Sequence, residues 1–409
     1  MKKFIFTLAI GLCFLASNGQ NTPNQQIPLS YQFYQKLNKS VYDINSRFHS
    51  SIKSYFADEA VLAKRFDSLM RAGSDSLGDR SWARRKLTQE HLVDFNADDY
   101  HVYADFLPDF LVGTETGNST QTWLSSAGFQ IGGNVGSKFS FYTSGYGNRG
   151  VFANYYTRFV DSNQVVPGQS GGDKLSGSVK QWSYVSALVS YSPNKYINLA
   201  LGYDKNFIGD GYRSMLLSDN AANYSFARLR ASLGNVQYQT IIAYMLDPGA
   251  PKIAAGGQLG ARGKWTAMHY FDWNITNRFS AGFFQAVTWA DAQPQGKRGF
   301  DFNYIHPFVF LKPMGSVHKT SPDKMRLGLN AKYEVLDNTA LYGQFMLDEF
   351  DAKEFLAGSG YWGNRWALQI GLKGSDLFTV KGLNYLAEFN TARPYTYAHA
   401  NRITNYAHY

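Results

Sequence analysis

Apolar and polar residues alternate along several segments of the chain from about Asp99 onward. In Arg326 to Val335 every second residue is apolar, and the residues between them are polar or glycine. The same alternation occurs in Ile197 to Asp204, Arg365 to Lys373 and Leu383 to Asn390. A period of two places apolar side chains on one face of a β-strand and polar side chains on the other. The pattern therefore predicts strands that each have an apolar and a polar face.

A helical period replaces this alternation between Gln25 and Gly73. Apolar residues recur there at spacings of three and four, which forms one stripe of a helix: Leu37, Val41, Ile44, Phe48, Ile52 and Tyr55. Asp58 is placed to cap a second helix that ends before Gly73. We predict a small helical region here, and the alternative is a solvated amphipathic linker.

The chain begins with the features of a secretory signal peptide. Lys2 and Lys3 precede an apolar run from Phe4 to Ala16, which is followed by small and polar residues. Cleavage after about Gly19 would remove Cys13, the only cysteine, and two of the 40 basic residues, so the formal charge falls from +9 to 9 − 2 = +7. The mature chain would then have no disulfide and no thiolate metal site.

The predicted connections between strands alternate in length over the middle of the chain. Short turns are predicted at Gly147–Gly150, Pro193–Asn194, Gly234–Asn235 and Thr276–Asn277. Long loops are predicted at Asp161–Gln181, Lys205–Asn223, Asp247–Arg262 and Ala290–Gly299. Tight turns on one side and long loops on the other are typical of outer-membrane barrels. The alternation breaks after Phe300, so either His306 and Pro307 divide two short strands or the strand count is off by one.

Composition favours a membrane barrel over a soluble sandwich, which would show the same alternation. The chain has 28 Tyr, 30 Phe, 8 Trp and 38 Gly in 409 residues, and no later apolar run is long enough for a membrane helix. Such a chain crosses a membrane only as a closed barrel, because lipid satisfies no backbone hydrogen bonds. We predict an all-β transmembrane barrel of about 14–18 antiparallel strands. Since Arg393 and Pro394 begin a loosely patterned tail and Arg402 to Tyr409 is a poor strand, we also predict that the chain stops short of a complete barrel.

The segment Lys205–Asn223 is a shaped loop with an unusual composition. Gly209 and Gly211 flank Asp210, an apolar knot follows, and Ser218 begins a run that favours turns. Its residues Gly211, Ser214, Met215, Leu216, Leu217, Ser218, Asp219, Asn220 and Ala221 form the first of three ordered motifs. The second is FDFNYIHPFVFLKP from Phe300, which contains Pro307, and the third is LYGQFMLDEF from Leu341.

These three motifs resemble those of the Wzi capsule-assembly family. Its members are outer-membrane β-barrels and include gliding-motility-associated surface proteins of Bacteroidetes-type bacteria. The resemblance implies export to the outer membrane and a helical region on the periplasmic side of the barrel. The predicted division is therefore a signal peptide at 1–19, a helical periplasmic region and connector at 20–98, and the barrel at 99–409.

The resemblance also implies a function in assembly or surface attachment of capsular polysaccharide or exopolysaccharide. The alternatives are a gliding-motility or adhesion protein and a solute channel. The expected partners are outer-membrane lipid, surface polysaccharide and motility or secretion machinery, whereas nucleic acid is not expected of an exported chain. An outward-facing loop would offer a sugar polymer one aromatic ring, two cations, a carboxylate and an amide: Lys205, Asp210, Tyr212, Arg213 and Asn220. The competing interpretation is that Ser218, Asp219 and Asn220 only close a turn.

No set of catalytic residues is evident in the sequence. The eight histidines have no HExxH spacing, GxSxG is absent, and the acidic loops lack the calcium-loop order. The Gly209-Asp210-Gly211 run is not followed by the Lys-Ser/Thr of a phosphate-binding loop. We therefore expect neither an enzyme nor a cofactor.

Overall fold

The computed structural model describes residues 24–70, 81–117, 121–169, 174–247, 250, 253–255, 258–293, 296–306, 323–349, 352–399, 402–406 and 408. The predicted signal peptide, Gly73 and Pro307 lie outside these residues.

Five short α-helices occur in the described part of the chain. They are α1 (Tyr31–Val41), α2 (Ala63–Met70), α3 (Trp82–Thr88), α4 (Asn154–Asn163) and α5 (Ala352–Leu356). Three 3-10 helices lie at Phe302–Tyr304, Leu377–Thr379 and Arg402–Thr404. None of the described helices is long and apolar enough to cross a membrane.

The remaining elements are strands. They are β1 (Ile52–Lys53), β2 (Val93–Asn96), β3 (Tyr100–Thr114), β4 (Gln121–Val135), β5 (Phe139–Val151), β6 (Lys180–Asn194), β7 (Ile197–Asp204), β8 (Phe207–Ile208), β9 (Tyr224–Leu233), β10 (Val236–Leu246), β11 (Ile253–Ala255), β12 (Gln258–Ala261), β13 (Gly263–Asn274), β14 (Phe279–Ala290), β15 (Ala292–Gln293), β16 (Gly296–Lys297), β17 (Lys324–Leu336), β18 (Thr339–Glu349), β19 (Arg365–Gly374) and β20 (Tyr385–Ala392).

Fourteen of the described strands form one antiparallel sheet. Its order is β2-β3-β4-β5-β6-β7-β9-β10-β13-β14-β17-β18-β19-β20, so neighbours follow one another along the chain. Three pairs of short strands, β1-β8, β11-β12 and β15-β16, stand apart from it. The predicted all-β class, the lower end of the predicted strand number and the small N-terminal helical region are confirmed.

The chain divides into two compact units. The first contains residues up to 27, residues 55–194 and residues 202–204, and the second contains residues 28–54, 195–201 and 205–409. All of the site described below lies in the second unit.

Strand β17 has the two faces that the sequence predicts. Arg326 and Lys332 are buried on one face, whereas Leu329 and Tyr333 are 54% and 45% exposed on the other. A soluble sheet would bury its apolar face instead. Burial of polar side chains and exposure of apolar ones is the arrangement that lipid requires.

The connections between consecutive strands of the sheet alternate in length from β7 to β14, and one predicted turn is wrong. Turns of two to four residues occur at 195–196, 234–235 and 275–278, as predicted or shifted by one or two residues, and a further turn lies at 337–338. Gly147–Gly150 is not a turn, because β5 continues through it and Gly150 pairs with Leu124. No strand lies within the described residues 298–306, and β14 pairs directly with β17 in antiparallel register. The segment 307–322, on which the predicted break in the alternation depends, lies outside the described residues.

The N-terminal helices are shorter than their apolar stripes suggest. The hydroxyl of Ser30 caps α1 by accepting from the backbone N–H of Phe33, and the helix ends at Val41. Ile52 belongs to β1, where it pairs with Ile208. The predicted cap Asp58 accepts from the backbone N–H of Asn24 at 2.8 Å, and α2 begins five residues later. Tertiary contacts thus override the helical period of residues 42–55.

Candidate functional site

The connection between β7 and β9, residues 205–223, is called the motif loop here. Its strand β8 pairs with β1, so that Phe207 lies opposite Lys53. Ile208 also forms a bridge to Leu217 farther along the loop. Residues 206–211 of the motif loop are consequently buried, and they are not the outward-facing segment that the sequence suggested.

Asp210 is a fully buried anchor of the motif loop. Its Oδ1 accepts hydrogen bonds from the hydroxyls of Tyr42 at 3.0 Å and Ser50 at 2.6 Å. Burial alone would raise the pKa of this carboxyl, but the ammonium groups of Lys332, Lys373 and Lys53 lower it below its ordinary value. Asp210 is therefore a charged group within the fold and is inaccessible to a polymer.

Two of these lysines also bind the backbone of the motif loop. Lys53 Nζ donates to the carbonyl of Gly209 at 2.9 Å and lies 4.6 Å from the ring centroid of Phe207. Lys373 Nζ donates to the carbonyl of Asp210. Burial lowers the pKa of Lys53 to about 8, although the charges of Asp210 and Asp219 oppose this shift. The lysines hold the loop in place from two sides.

Glu388 of β20 binds the next turn of the motif loop. Its carboxylate accepts from the backbone N–H groups of Tyr212 at 2.8 Å and Arg213 at 3.3 Å, and from the Tyr342 hydroxyl at 2.7 Å. A Cβ on Gly211 would lie 2.4 Å from Glu388 Oε2. Only glycine lets the backbone approach this carboxylate so closely.

Ser214 organises the apolar part of the motif. Its hydroxyl oxygen accepts from the N–H groups of Leu216 and Leu217, both at 3.1 Å, and its proton is donated to the carbonyl of Ile208 at 2.5 Å. The Oε1 atom of Gln344 accepts a further hydrogen bond from the backbone N–H of Met215 at 2.8 Å. The motif serine thus has a structural explanation, namely a tight turn closed by its own side chain.

Tyr212 and Arg213 form an exposed cluster beside this turn. The Arg213 guanidinium lies 4.4 Å from the centroid of the Tyr212 ring, and Tyr31 of α1 approaches the same ring edge-on at 4.5 Å. Tyr212 is 41% exposed. The cluster presents one ring and one cation to solvent.

The second half of the motif loop lines a cavity of about 280 Å³. The loop contributes Ser214, Met215, Leu216, Leu217, Ser218, Asn220 and Ala221. The opposite wall consists of Tyr224 of β9, Met245 of β10, and Tyr397, Tyr406 and His408 from the segment that follows β20. We call this cavity the motif pocket, and the described residues 393–399, 402–406 and 408 the tail.

Polar groups fix the tail against the sheet and the loop. The Tyr397 hydroxyl donates to the carbonyl of Met215 at 2.8 Å, and the two rings of Tyr397 and Tyr406 stack at 6.3 Å. Lys264 Nζ donates to the carbonyl of Asn405 at 2.8 Å. The Arg326 guanidinium lies 4.8 Å from the Tyr406 ring centroid. These contacts hold Tyr397, Asn405 and Tyr406 in place, and the tail therefore forms one wall of the motif pocket.

His408 closes the end of this wall. Its ring lies edge-on to Tyr224 at 5.8 Å, and its nitrogens face the backbone of Asn223 at 2.8 Å and of Leu246 at 2.9 Å. Burial lowers the pKa of His408, although the bonds to Asn223 and Leu246 oppose the shift. The imidazole is therefore uncharged at neutral pH.

The structure separates the five predicted glycan contacts. Asn220 lines the motif pocket, whereas Tyr212 and Arg213 form the exposed cluster on another side of the loop. Asp210 is buried, and Lys205 is half-buried. The set predicted from the sequence is thus not one surface.

Five residues of the pocket wall are missing from the sequence prediction. They are Tyr224, Met245, Tyr397, Tyr406 and His408. The only sequence signal for the tail is its aromatic content, with four tyrosines between Tyr395 and Tyr409. Within the described residues, no group of three or more His, Cys, Asp or Glu side chains is placed to hold a metal ion.

No protein-family model matches the chain, and no curated protein matches it in sequence. Among solved structures it is similar to Wzi of Escherichia coli, described as an outer-membrane protein involved in group 1 capsule assembly and a carbohydrate-binding β-barrel, with 13% identity, a TM-score of 0.48, and coverage of 94% of this chain and 76% of that one. It is also similar to OccD1 (OprD), with 11% identity, a TM-score of 0.34, and coverage of 75% and 77%. A Pseudomonas aeruginosa FadL homologue shows 12% identity, a TM-score of 0.30, and coverage of 73% and 74%. All three TM-scores lie below 0.5.

Proposed function

We propose that this protein binds surface polysaccharide at the outer membrane and that the motif pocket is the binding site. The observation that carries the proposal is the convergence of the motif loop and the tyrosine-rich tail on one cavity. Tyrosine rings offer faces on which sugar rings stack, and their hydroxyls are polar handles. The three-motif resemblance to capsule-assembly barrels supports the same function. The proposal is one of binding without catalysis.

The experiment compares polysaccharide retention in cells that carry different variants. Deletion of the gene should move surface polysaccharide from the cells to the medium. Ala221→Phe should fail to restore retention, because its ring would fill the motif pocket. The double variant Tyr212→Ala/Arg213→Ala, outside the pocket, is the matched control and should restore retention. Heat-modifiable migration measures the amount of folded barrel in each strain. Normal retention after deletion would refute the proposed function.

A second candidate is a motility or adhesion protein that acts through a protein partner. The exposed cluster of Tyr31, Tyr212 and Arg213 favours it, because tyrosine and arginine are typical of protein-binding hot spots. Under this function, the variant Tyr212→Ala/Arg213→Ala should impair spreading on a surface while retention stays normal. Ala221→Phe should spread normally. Equal spreading of both variants and the wild type would exclude it.

The solute-channel alternative is disfavoured by the contacts of the motif loop. Gln344 of β18 and Gln369 of β19 donate to loop carbonyls at Ile208 and Arg213, at 3.2 Å and 2.9 Å. The polar side chains of these strands therefore bind protein where a channel would need them to face water. We expect no sustained conductance from the purified protein in planar bilayers, and stable open-channel steps would restore the alternative.

A further inference from the structure

The motif pocket differs in charge from the outward-facing set that the sequence suggested. Its described lining contains no aspartate, glutamate, lysine or arginine, and its one titratable ring with an ordinary pKa near neutrality, His408, is uncharged. An ionised carboxylate pays a large desolvation cost in such a site unless a cation pairs with it. The exposed cation of the motif loop, Arg213, does not line the pocket.

Four apolar side chains contribute to the lining of the pocket. Leu216 and Leu217 are 1% and 5% exposed, and Met215 and Met245 line the same cavity. Methionine side chains adapt their shape and are polarisable, so they accommodate a small branched group. A methyl group that contacts these side chains would lose contact with water, which is favourable in proportion to the buried area.

Polar groups also line the pocket. Ser218 Oγ accepts from the Asn220 N–H at 3.3 Å, so its own proton remains a possible donor to a ligand. The Asn220 residue is exposed, and its side-chain amide offers both a donor and an acceptor. A few placed polar groups around an apolar cavity fix the orientation of a ligand.

The size of the pocket limits what it holds. Its volume of about 280 Å³ lies just below the range of about 300–1,000 Å³ that is usual for small-molecule sites. One sugar residue with a substituent therefore suits it better than a stretch of polymer.

We propose that the motif pocket selects an uncharged sugar residue that carries a methyl or acetyl group, such as a 6-deoxyhexose or an N-acetylhexosamine. The inference rests on the proposed function, because it names the residue of the polysaccharide that this site takes. The substituent lies among Met215, Leu217 and Met245, a ring face lies against the tail tyrosines, and the hydroxyls face Ser218 and Asn220.

Saturation-transfer NMR on the full-length protein in detergent tests the proposal. The probes are the methyl glycosides of N-acetylglucosamine, fucose, glucose and glucuronic acid, each titrated to about 10 mM. At least one of the first two should bind tenfold or more tightly than glucose and glucuronic acid, and its acetyl or C6 methyl protons should receive the most saturation. Ala221→Phe should abolish the signal, and Tyr212→Ala should leave it unchanged.

Two further arms keep the outcomes distinct. Asn220→Ala is the milder variant and should weaken binding severalfold even if Ala221→Phe does not fold. Three results would overturn the choice of sugar. They are binding of glucuronic acid that is as tight as or tighter than that of N-acetylglucosamine and fucose, saturation spread evenly over the ring protons, and no binding of any probe. If the NMR result is one of these and deletion of the gene nevertheless releases polysaccharide from the cells, only the inference about the pocket is refuted. If cells without the gene retain their polysaccharide, the proposed function itself fails.

Discussion

Replacing Asp210 by Asn should loosen the motif loop without changing its shape. The substitution removes a negative charge that is fully buried and close to the ammonium groups of Lys53, Lys332 and Lys373. The amide oxygen of Asn can still accept from Tyr42 and Ser50. Only the charge is lost, so the change isolates the electrostatic part of the anchor.

The magnitude follows from the bonds that this carboxylate accepts. A hydrogen bond to a charged group contributes about 1.5–3 kcal/mol and a neutral one about 0.5–1.5 kcal/mol. Two such bonds would therefore weaken by about 2 kcal/mol together. Removing one partner from a buried group of charges costs about 3–5 kcal/mol. We expect the free energy of loop opening to fall by about 3 kcal/mol, or about a hundredfold in the opening equilibrium.

Hydrogen exchange with mass spectrometry measures this effect locally. The N–H of Ile208 donates to the carbonyl of Leu217 at 3.0 Å, and that of Gly209 donates to the carbonyl of Ser51 at 2.8 Å. Both amides should exchange about a hundredfold faster in Asp210→Asn, while the amides of β13 and β14 stay protected. Asp376→Asn, which removes a carboxylate paired with the exposed Lys39, is the control and should leave loop exchange unchanged.

The pH dependence has a definite sign. The pKa of Asp210 is lowered in the folded chain, so its contribution is complete above the unfolded pKa of about 3.9 and is lost as pH falls through the folded value. Loop protection, corrected for the intrinsic exchange rate, should fall in this acid range in the wild type and stay flatter in Asp210→Asn. Loop exchange within twofold of wild type at neutral pH would refute the electrostatic account of the anchor.

Three other changes test neighbouring contacts. Gly211→Ala would place a methyl group against Glu388, so it should speed tryptic cleavage after Arg213, and unchanged cleavage would count against the close approach. Because the Lys53 pKa is lowered to about 8, its ¹³C-methylated amine should titrate near that value, and loop stability should rise between about pH 8 and 10.4 in the wild type but not in Lys53→Met. The lowered pKa of His408 predicts that protection of the tail decreases as pH drops below about 6.5, and His408→Gln should remove this dependence in the same exchange measurement.

The sequence predicts the strands well because their faces are encoded locally. Successive residues of β17 point to opposite faces of the sheet, so the alternation of apolar and polar residues in the sequence corresponds directly to the alternation of exposed and buried side chains. The turn predicted at Gly147–Gly150 is wrong for the same local reason. Glycine and asparagine are frequent in turns, and nothing in these four residues shows that they pair with Leu124 and its neighbours across β4.

The candidate site was only partly predictable because its contacts are distant in sequence. The sequence motif identified the loop 205–223 as a candidate site, and Asn220 of this loop lines the motif pocket. The buried Asp210 carboxylate is stabilised in its charged form by lysines from three separate segments, and no local sequence pattern predicts that these segments meet. The tail lies outside any period, and its importance comes from single hydrogen bonds such as that of Tyr397 to Met215, 182 residues away.

This long-range bond has a consequence for the order of folding. The motif pocket has walls from the motif loop, from Tyr224 and Met245, and from Tyr397, Tyr406 and His408. It cannot exist until the segment after β20 has reached a loop made much earlier in synthesis. Contacts between residues far apart in sequence form late, because the chain loses the entropy of closing a long loop before the contact stabilises it. A chain stalled during membrane insertion would display the motif loop but have no pocket. Under the proposed function, sugar binding would report that the tail has reached the motif loop, and a glycan column would separate molecules that have formed the pocket from those that have not.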